Sequence, residues 1–311
     1  MTAMNRRQFL CAAAATALVG RGNAGEKTTM LPIVDTHQHL WDLSRFKLPW
    51  IQPGTPLARS YLPSDYAKAA EGLNIVKAVY MEVDVDPAQQ DAEAEYIIEL
   101  CRSKTTPTVA AVISGRPESD GFPAYVRRYR DHPIIKGIRR VLHVPQTPPG
   151  HCLQPLFVKN IQLLGELDLS FDLCIRPAEL PDMAKLVDAC PNTRFILDHC
   201  GNPSLQMRDL TPWKRDLADI AKRKNIVCKV SGFIATAKPG QWKPDDIAPI
   251  VNHVFDCFGP DRVMFGGDWP VCTLGASLQE WVNGLKAVVA SRPAEEQRKL
   301  FHDNAVKFYG I

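Results

Sequence analysis

The chain reads as a single-domain (β/α)8 barrel, the TIM-barrel class of α/β protein, preceded by a short leader. Three observations predict it. Short apolar runs rich in β-branched residues alternate with longer amphipathic patterns from Ile33 onward. The runs number eight, the count of a closed barrel. The turn after the first run lacks the glycines that an open dinucleotide-binding sheet would need there.

In chain order the candidate strands are Ile33–Leu40, Val76–Val83, Thr108–Ser114, Ile134–Leu142, Ser170–Ile175, Arg194–His199, Ile226–Val230 and Arg262–Gly266. Helical patterns fill the gaps. Pro87–Lys104 opens with proline at a suitable first position and carries Ala92, Tyr96, Ile97 and Leu100 on one stripe. Glu179–Ala189 follows Pro177 and stops before Pro191, and Thr211–Lys224 turns Leu217, Ile220 and Ala221 inward. Asp245–Phe258 ends at Gly259-Pro260, a strong stop. Such alternation requires parallel strands and right-handed crossovers. No repeat, low-complexity tract or flexible linker interrupts it, so one domain is expected over residues 25–311.

Residues 1–24 stand apart. Arg6-Arg7-Gln8-Phe9-Leu10 precedes an apolar run from Cys11 to Gly20, and Gly22-Asn23-Ala24 offers a small-x-small cleavage site. The paired arginines followed by Phe-Leu resemble a twin-arginine signal, which implies the twin-arginine export machinery as a partner and a periplasmic or otherwise exported destination. A basic first helical turn would also place arginines there, but not a cleavage site after an apolar run. The leader holds Arg6, Arg7 and Arg21 and no acid, so the formal net charge of +3 falls to zero without it (3 − 3). No basic stripe remains to bind nucleic acid, and no later run is long enough to span a bilayer. The nine cysteines include no C-x-x-C pair, and most sit in apolar patterns that suit buried free thiols.

A barrel enzyme gathers its chemistry at the carboxyl ends of its strands. Those ends are polar here: His37 and His39, Glu82 and Asp84, Ser114, Arg139 and Arg140, Arg176, His199, Lys229 with Ser231, and Asp268. In Asp35-Thr36-His37-Gln38-His39, side-chain alternation turns Asp35, His37 and His39 to one face. Two neutral imidazoles could then share one divalent ion, with Asp35 a layer below to orient one of them. Two exposed histidines at a strand end would read the same, so the other strands must decide. Phe265-Gly266-Gly267-Asp268-Trp269-Pro270 leaves Asp268 just past the eighth strand, beside the first in a closed barrel. His199 ends the sixth strand, where Asp198 is expected to face the opposite way.

Five phrases in order, Asp35–Asp42, Ile135–Leu142, Ile196–Pro203, Cys228–Gly232 and Met264–Val271, resemble the amidohydrolase-related barrel hydrolases. The resemblance is to the sugar lactonase and pyrone dicarboxylate lactonase branch, and it runs from about Ile33 through His302–Tyr309. It implies that His37, His39, His199 and Asp268 are the site residues and metal ligands. Asp268 would be the proton acceptor, with His199 and Arg139 also catalytic. Glu82, Arg176, Lys229 and Trp269 are expected to bind substrate. The fourth strand offers Arg139-Arg140 and the fifth Cys174-Ile175-Arg176, not the lysine and histidine of binuclear members. The expected cofactor is therefore one divalent ion, Zn2+ first, and some members of the branch work without metal.

The function expected is opening of a small lactone by base-assisted water attack. No G-x-S-x-G elbow suggests an acyl-enzyme route. A decarboxylase or amidase on the same scaffold is the alternative, and a silent binding barrel for sugars or aromatic acids a third. Specificity is expected from the loops Trp41–Pro63, Pro145–Pro155 and Phe233–Pro244, whose sequences carry no readable code.

Overall fold

In the computed structural model, which describes residues 30–311, every apolar run becomes a strand hydrogen-bonded to the next in the chain. The strands are β1 (Ile33–Gln38), β2 (Ile75–Met81), β3 (Thr108–Ser114), β4 (Ile135–Val141), β5 (Ser170–Cys174), β6 (Phe195–Leu197), β7 (Ile226–Val230) and β8 (Val263–Phe265). All adjacent pairs are parallel. The last strand returns to the first through a parallel bridge between Gln38 and Trp269. There the Asp268 N–H donates to the His37 carbonyl at 2.7 Å, and the His39 N–H to the Trp269 carbonyl at 2.8 Å. The seam of the nearly closed TIM barrel is thus made by the backbones of the candidate site residues.

Helices follow the strands in turn: α1 (Pro63–Ala69), α2 (Gln90–Ser103), α3 (Phe122–Tyr129), α4 (Pro155–Glu166), α5 (Leu180–Ala189), α6 (Thr211–Ile220), α7 (Pro244–Phe258) and α8 (Leu278–Val289). Two more, α9 (Ala294–Arg298) and α10 (Asn304–Tyr309), complete the chain. Proline begins several of them, where its missing N–H costs no helical hydrogen bond. Most of the core lies between strands and helices. A smaller cluster of Val34, Val79, Met81, Val112, Ile196 and Met264 packs with Ala305 and Tyr309 of α10. All eight cysteines among the described residues are free, and no described helix is long and apolar enough to cross a membrane. The leader expected over 1–24 lies outside the described residues.

Two local departures matter for the site. Asp35 pairs with Ala78 but Gln38 with Tyr80, so β1 carries an irregularity between them and strict alternation fails. Asp35 consequently accepts from Tyr66 Oη at 2.7 Å and the Gly267 N–H at 2.7 Å; it orients no imidazole. Likewise β6 ends at Leu197, two residues early, because His199 and Cys200 take left-handed backbone angles (φ 55° and 56°).

Candidate active site

Asp198 overturns the expected alternation. It is fully buried, with Oδ1 at 3.5 Å from His37 Nδ1 and 3.2 Å from Lys229 Nζ, and Oδ2 at 3.7 Å from Arg139 Nη1. The left-handed turn brings His199 round to the same mouth, so neighbouring side chains converge where a strand would have separated them. Gly232 makes room for this. A Cβ there would stand 2.2 Å from His199 Cγ, and its φ of 75° suits glycine.

Around the mouth, Asp268 Oδ1 lies 3.4 Å from His39 Nε2, 3.7 Å from His37 Nε2 and 3.9 Å from His199 Nε2. The two strand-one Nε2 atoms are 3.1 Å apart. Chemistry of the outer partners assigns their protons. Met81 O, 3.0 Å from His39 Nδ1, can only accept, so His39 donates from Nδ1 and keeps a lone pair on Nε2. The Asp198 carboxylate, 3.5 Å from His37 Nδ1, can only accept and Arg139 can only donate; the latter's Nη1 is 3.3 Å from His37 Nε2. His37 is therefore also protonated on Nδ1, with its Nε2 lone pair facing that of His39. Two lone pairs at this separation repel unless a cation stands by them. Arg139 supplies part of that charge.

The donor set also fits a divalent ion. His37, His199 and Asp268 place ligand atoms within 4.8 Å of one another, and His39 Nε2 adjoins two of them. Tetrahedral zinc with bonds of about 2.0–2.1 Å sets neighbouring ligand atoms about 3.3 Å apart, close to these spacings. Cys174, Asp198 and His199 form a second group. It is the poorer one, because burial pushes the Cys174 thiol up and Asp198 already faces Lys229.

Burial governs the protonation states. It holds His37 well below the ordinary imidazole range and takes His39 down to about 3, so both are neutral ligands or acceptors. His199 is lowered for the same reason; the Ser231 hydroxyl at 2.9 Å from its Nδ1 supports either tautomer. Burial pushes Asp268 up to about 6, against the opposing pull of His199 and Arg139. Burial would lower Arg139, but the Glu82 and Asp198 carboxylates outweigh it and keep the guanidinium charged. Asp268 and His199 both sit in the left-handed region, at φ 53° and 55°. Such strain costs roughly 1–3 kcal/mol per residue and collects at functional sites.

His39, Arg139, His199 and Asp268 line a cavity of about 290 Å³, and His37 lies beneath it. The four residues expected to bind substrate lie elsewhere. Glu82 Oε1 accepts from Arg139 Nε at 2.6 Å and is buried behind it, where it supplies the nearest counter-charge to the guanidinium. Lys229 is buried between Asp172 Oδ2 at 2.6 Å and Asp198, where the barrel interior leaves it no exposed surface. Trp269 packs edge-on against Tyr61 and Tyr66 because its backbone is tied to His39 in the seam. Arg176 donates to Glu179 and to the carbonyls of Val144 and Thr147, so it braces the loop after β4. Of the three loops, Trp41–Pro63 contributes Trp50 and Phe233–Pro244 contributes Ala235 and Thr236, while Pro145–Pro155 contributes none of the lining. Sequence reasoning missed Asp198, Trp50 and His143. Asp198 left a signal in its place beside His199, and Trp50 in its place within the first of the three loops; His143 left none.

The amidohydrolase family pattern matches residues 34–311. This chain belongs to the amidohydrolase family. As a family member it is a hydrolase, and it resembles lactonase-named proteins along nearly their whole length. An L-fucono-1,5-lactonase of Burkholderia multivorans is 28% identical over 294 residues, spanning 89% of this chain and 96% of that protein. An L-rhamnono-gamma-lactonase of Scheffersomyces stipitis is 24% identical over 335 residues, spanning 90% of this chain and 98% of that one. The crystal structure of a Burkholderia multivorans amidohydrolase with bound zinc superposes with a TM-score of 0.81 at 26% identity, covering 90% of this chain and 99% of the other.

Proposed function

We propose that this amidohydrolase-family protein opens a small lactone by base-assisted attack of water. The observation that carries the reading is Asp268, a carboxylate raised to about 6 whose Oδ1 faces three imidazole Nε2 atoms on the floor of the cavity. Near neutral pH such a group is ionised yet still basic, which suits a proton acceptor. The lactonase-named relatives support the substrate class.

In the reaction, Asp268 takes one proton from water as the water oxygen bonds to the ring carbonyl carbon. Negative charge grows on the carbonyl oxygen. Arg139, held charged by Glu82, and His199, both largely buried, stabilise it. Collapse of the tetrahedral carbon breaks its bond to the ring oxygen. Asp268 returns its proton to that oxygen, giving the hydroxy acid. His37, His39, His199 and Asp268 would hold one divalent ion, Zn2+ first. When bound, it supplies Lewis-acid charge that lowers the pKa of water or polarises the carbonyl.

Elemental analysis of the purified protein, with a pH-stat screen of lactones before and after chelation, tests both parts. Lactone hydrolysis together with about one zinc per chain is expected. Full activity without metal would discard the ion and keep the base mechanism, whereas turnover of amides or carboxylic acids alone would discard the lactonase reading. We further propose that the leader directs export. Arg6→Lys with Arg7→Lys should then leave unprocessed precursor in the cell, and normal processing would point to another route.

A further inference from the structure

The floor of the cavity is polar, but much of its wall is apolar. Trp50, Val83, Val141, Val144, Ala235 and Val271 supply the apolar part. Trp50 turns only hydrocarbon to the cavity, because its one donor, Nε1–H, is spent on the Val83 carbonyl at 2.7 Å. Its ring is braced edge-on against Trp41, centroids 5.7 Å apart, so the wall is held in place.

Polar residues around the walls are each tied to the protein by at least one hydrogen bond or ion pair. Thr236 donates to the Phe233 carbonyl at 2.7 Å and accepts from the Leu205 N–H at 2.9 Å. Asn202 donates to the Ile175 carbonyl at 2.6 Å. Asp84 faces the Arg116 guanidinium at 3.1 Å. His143 remains, and it is exposed at the rim.

We infer that the pocket selects lactones carrying a hydrocarbon substituent over polyhydroxylated ones, with His143 meeting at most one polar group at the outer end. The inference rests on the lactonase reading above and narrows its substrate class. A ring hydroxyl moved from water to a valine wall loses hydrogen bonds that nothing there replaces, whereas a methylene gains by the same transfer.

The test compares kcat/KM of the purified protein for 5-alkyl δ-lactones and dihydrocoumarin with L-fucono-1,5-lactone and L-rhamnono-γ-lactone in a pH-stat. A preference of about tenfold or more for the hydrocarbon-bearing lactones is expected, the scale that a few methylenes command in an apolar pocket. A smaller ratio, or preference for the sugar lactones, overturns the selectivity and leaves the lactonase reading standing. No hydrolysis of any lactone overturns both. Trp50→Ala should cut the ratio of 5-alkyl to unsubstituted δ-lactone by about tenfold, mainly through KM. If that variant does not fold, near-isosteric Val271→Thr should lower the same ratio. An unchanged ratio in a folded variant shows that these walls do not read the substituent and overturns the assignment.

Discussion

Replacing Asp268 with Asn separates two consequences of its burial that point in opposite directions. The amide keeps the shape and still accepts a hydrogen bond, but it cannot take a proton at neutral pH. Loss of a general base lowers kcat by about a hundredfold or more, equal to about 2.7 kcal/mol of barrier. Stability should move the other way. The carboxyl titrates near about 6 in the fold against an ordinary 3.8. That interval corresponds to about 3 kcal/mol by which the fold disfavours the ionised side chain. Because the folded value is raised, the penalty is complete above about pH 6, shrinks as pH falls, and is gone below the ordinary 3.8. In the presence of a chelator the Asn variant should therefore resist urea better than wild type at pH 7.5. The two should converge by about pH 4. Kinetically, kcat/KM of the wild type should fall on the acid side and the Asn variant should lack that limb. A variant with near-normal kcat and an unchanged acid limb would show that another group is the base. One no more stable than wild type at pH 7.5 would refute the argument from burial.

Three other perturbations probe the supporting residues. Asp198→Asn should lower kcat by about 10–100-fold with the fold intact, the usual effect of losing the partner that orients a site histidine; unchanged kcat in the folded variant would remove Asp198 from the site. Lys229→Met strips the counter-charge from Asp172 and Asp198 and should cost about 3–5 kcal/mol in chemical denaturation, with part recovered by adding Asp172→Asn. A loss below about 1 kcal/mol would mean that the buried charges are compensated elsewhere. Gly232→Ala drives a methyl into the His199 ring and should depress kcat by about tenfold or more, while Gly240→Ala, whose Cβ meets nothing within 4 Å, should not; equal kcat in the two variants would deny that Gly232 makes room for His199.

Much of the architecture was legible because it is written in short-range pattern. Apolar runs such as Thr108–Ser114 and Ile226–Val230 coincide residue for residue with β3 and β7, since strand and helix periodicity are local properties of the chain. His37, His39 and Asp268 could be drawn to one mouth because parallel strands in a barrel deliver their carboxyl ends to the same face. The leader expected over residues 1–24 rests on an equally local pattern, and it lies outside the described residues.

What alternation could not supply was the side to which each charged residue turns. The irregularity between Asp35 and Gln38 leaves Asp35 bonded to Tyr66 and to backbone N–H groups instead of an imidazole, while Asp198 faces His37 and the left-handed turn brings His199 to the same mouth. Glu82, Lys229 and Arg176 look identical in sequence to substrate-binding residues at strand ends. Their buried partners decide otherwise: Arg139 lies 57 positions from Glu82 and Lys229 the same distance from Asp172, while Arg176 spends its guanidinium on Glu179 and two loop carbonyls. Trp50 becomes a wall of the cavity only through its bond to Val83, 33 residues on. A buried charge or donor must find its complement somewhere, and which complement it finds depends on which distant segments the closed barrel brings within hydrogen-bonding reach. The periodicity of the chain determined the barrel and the rim where its chemistry lies; the long-range pairings made on folding decided which rim residues remain free to meet a substrate.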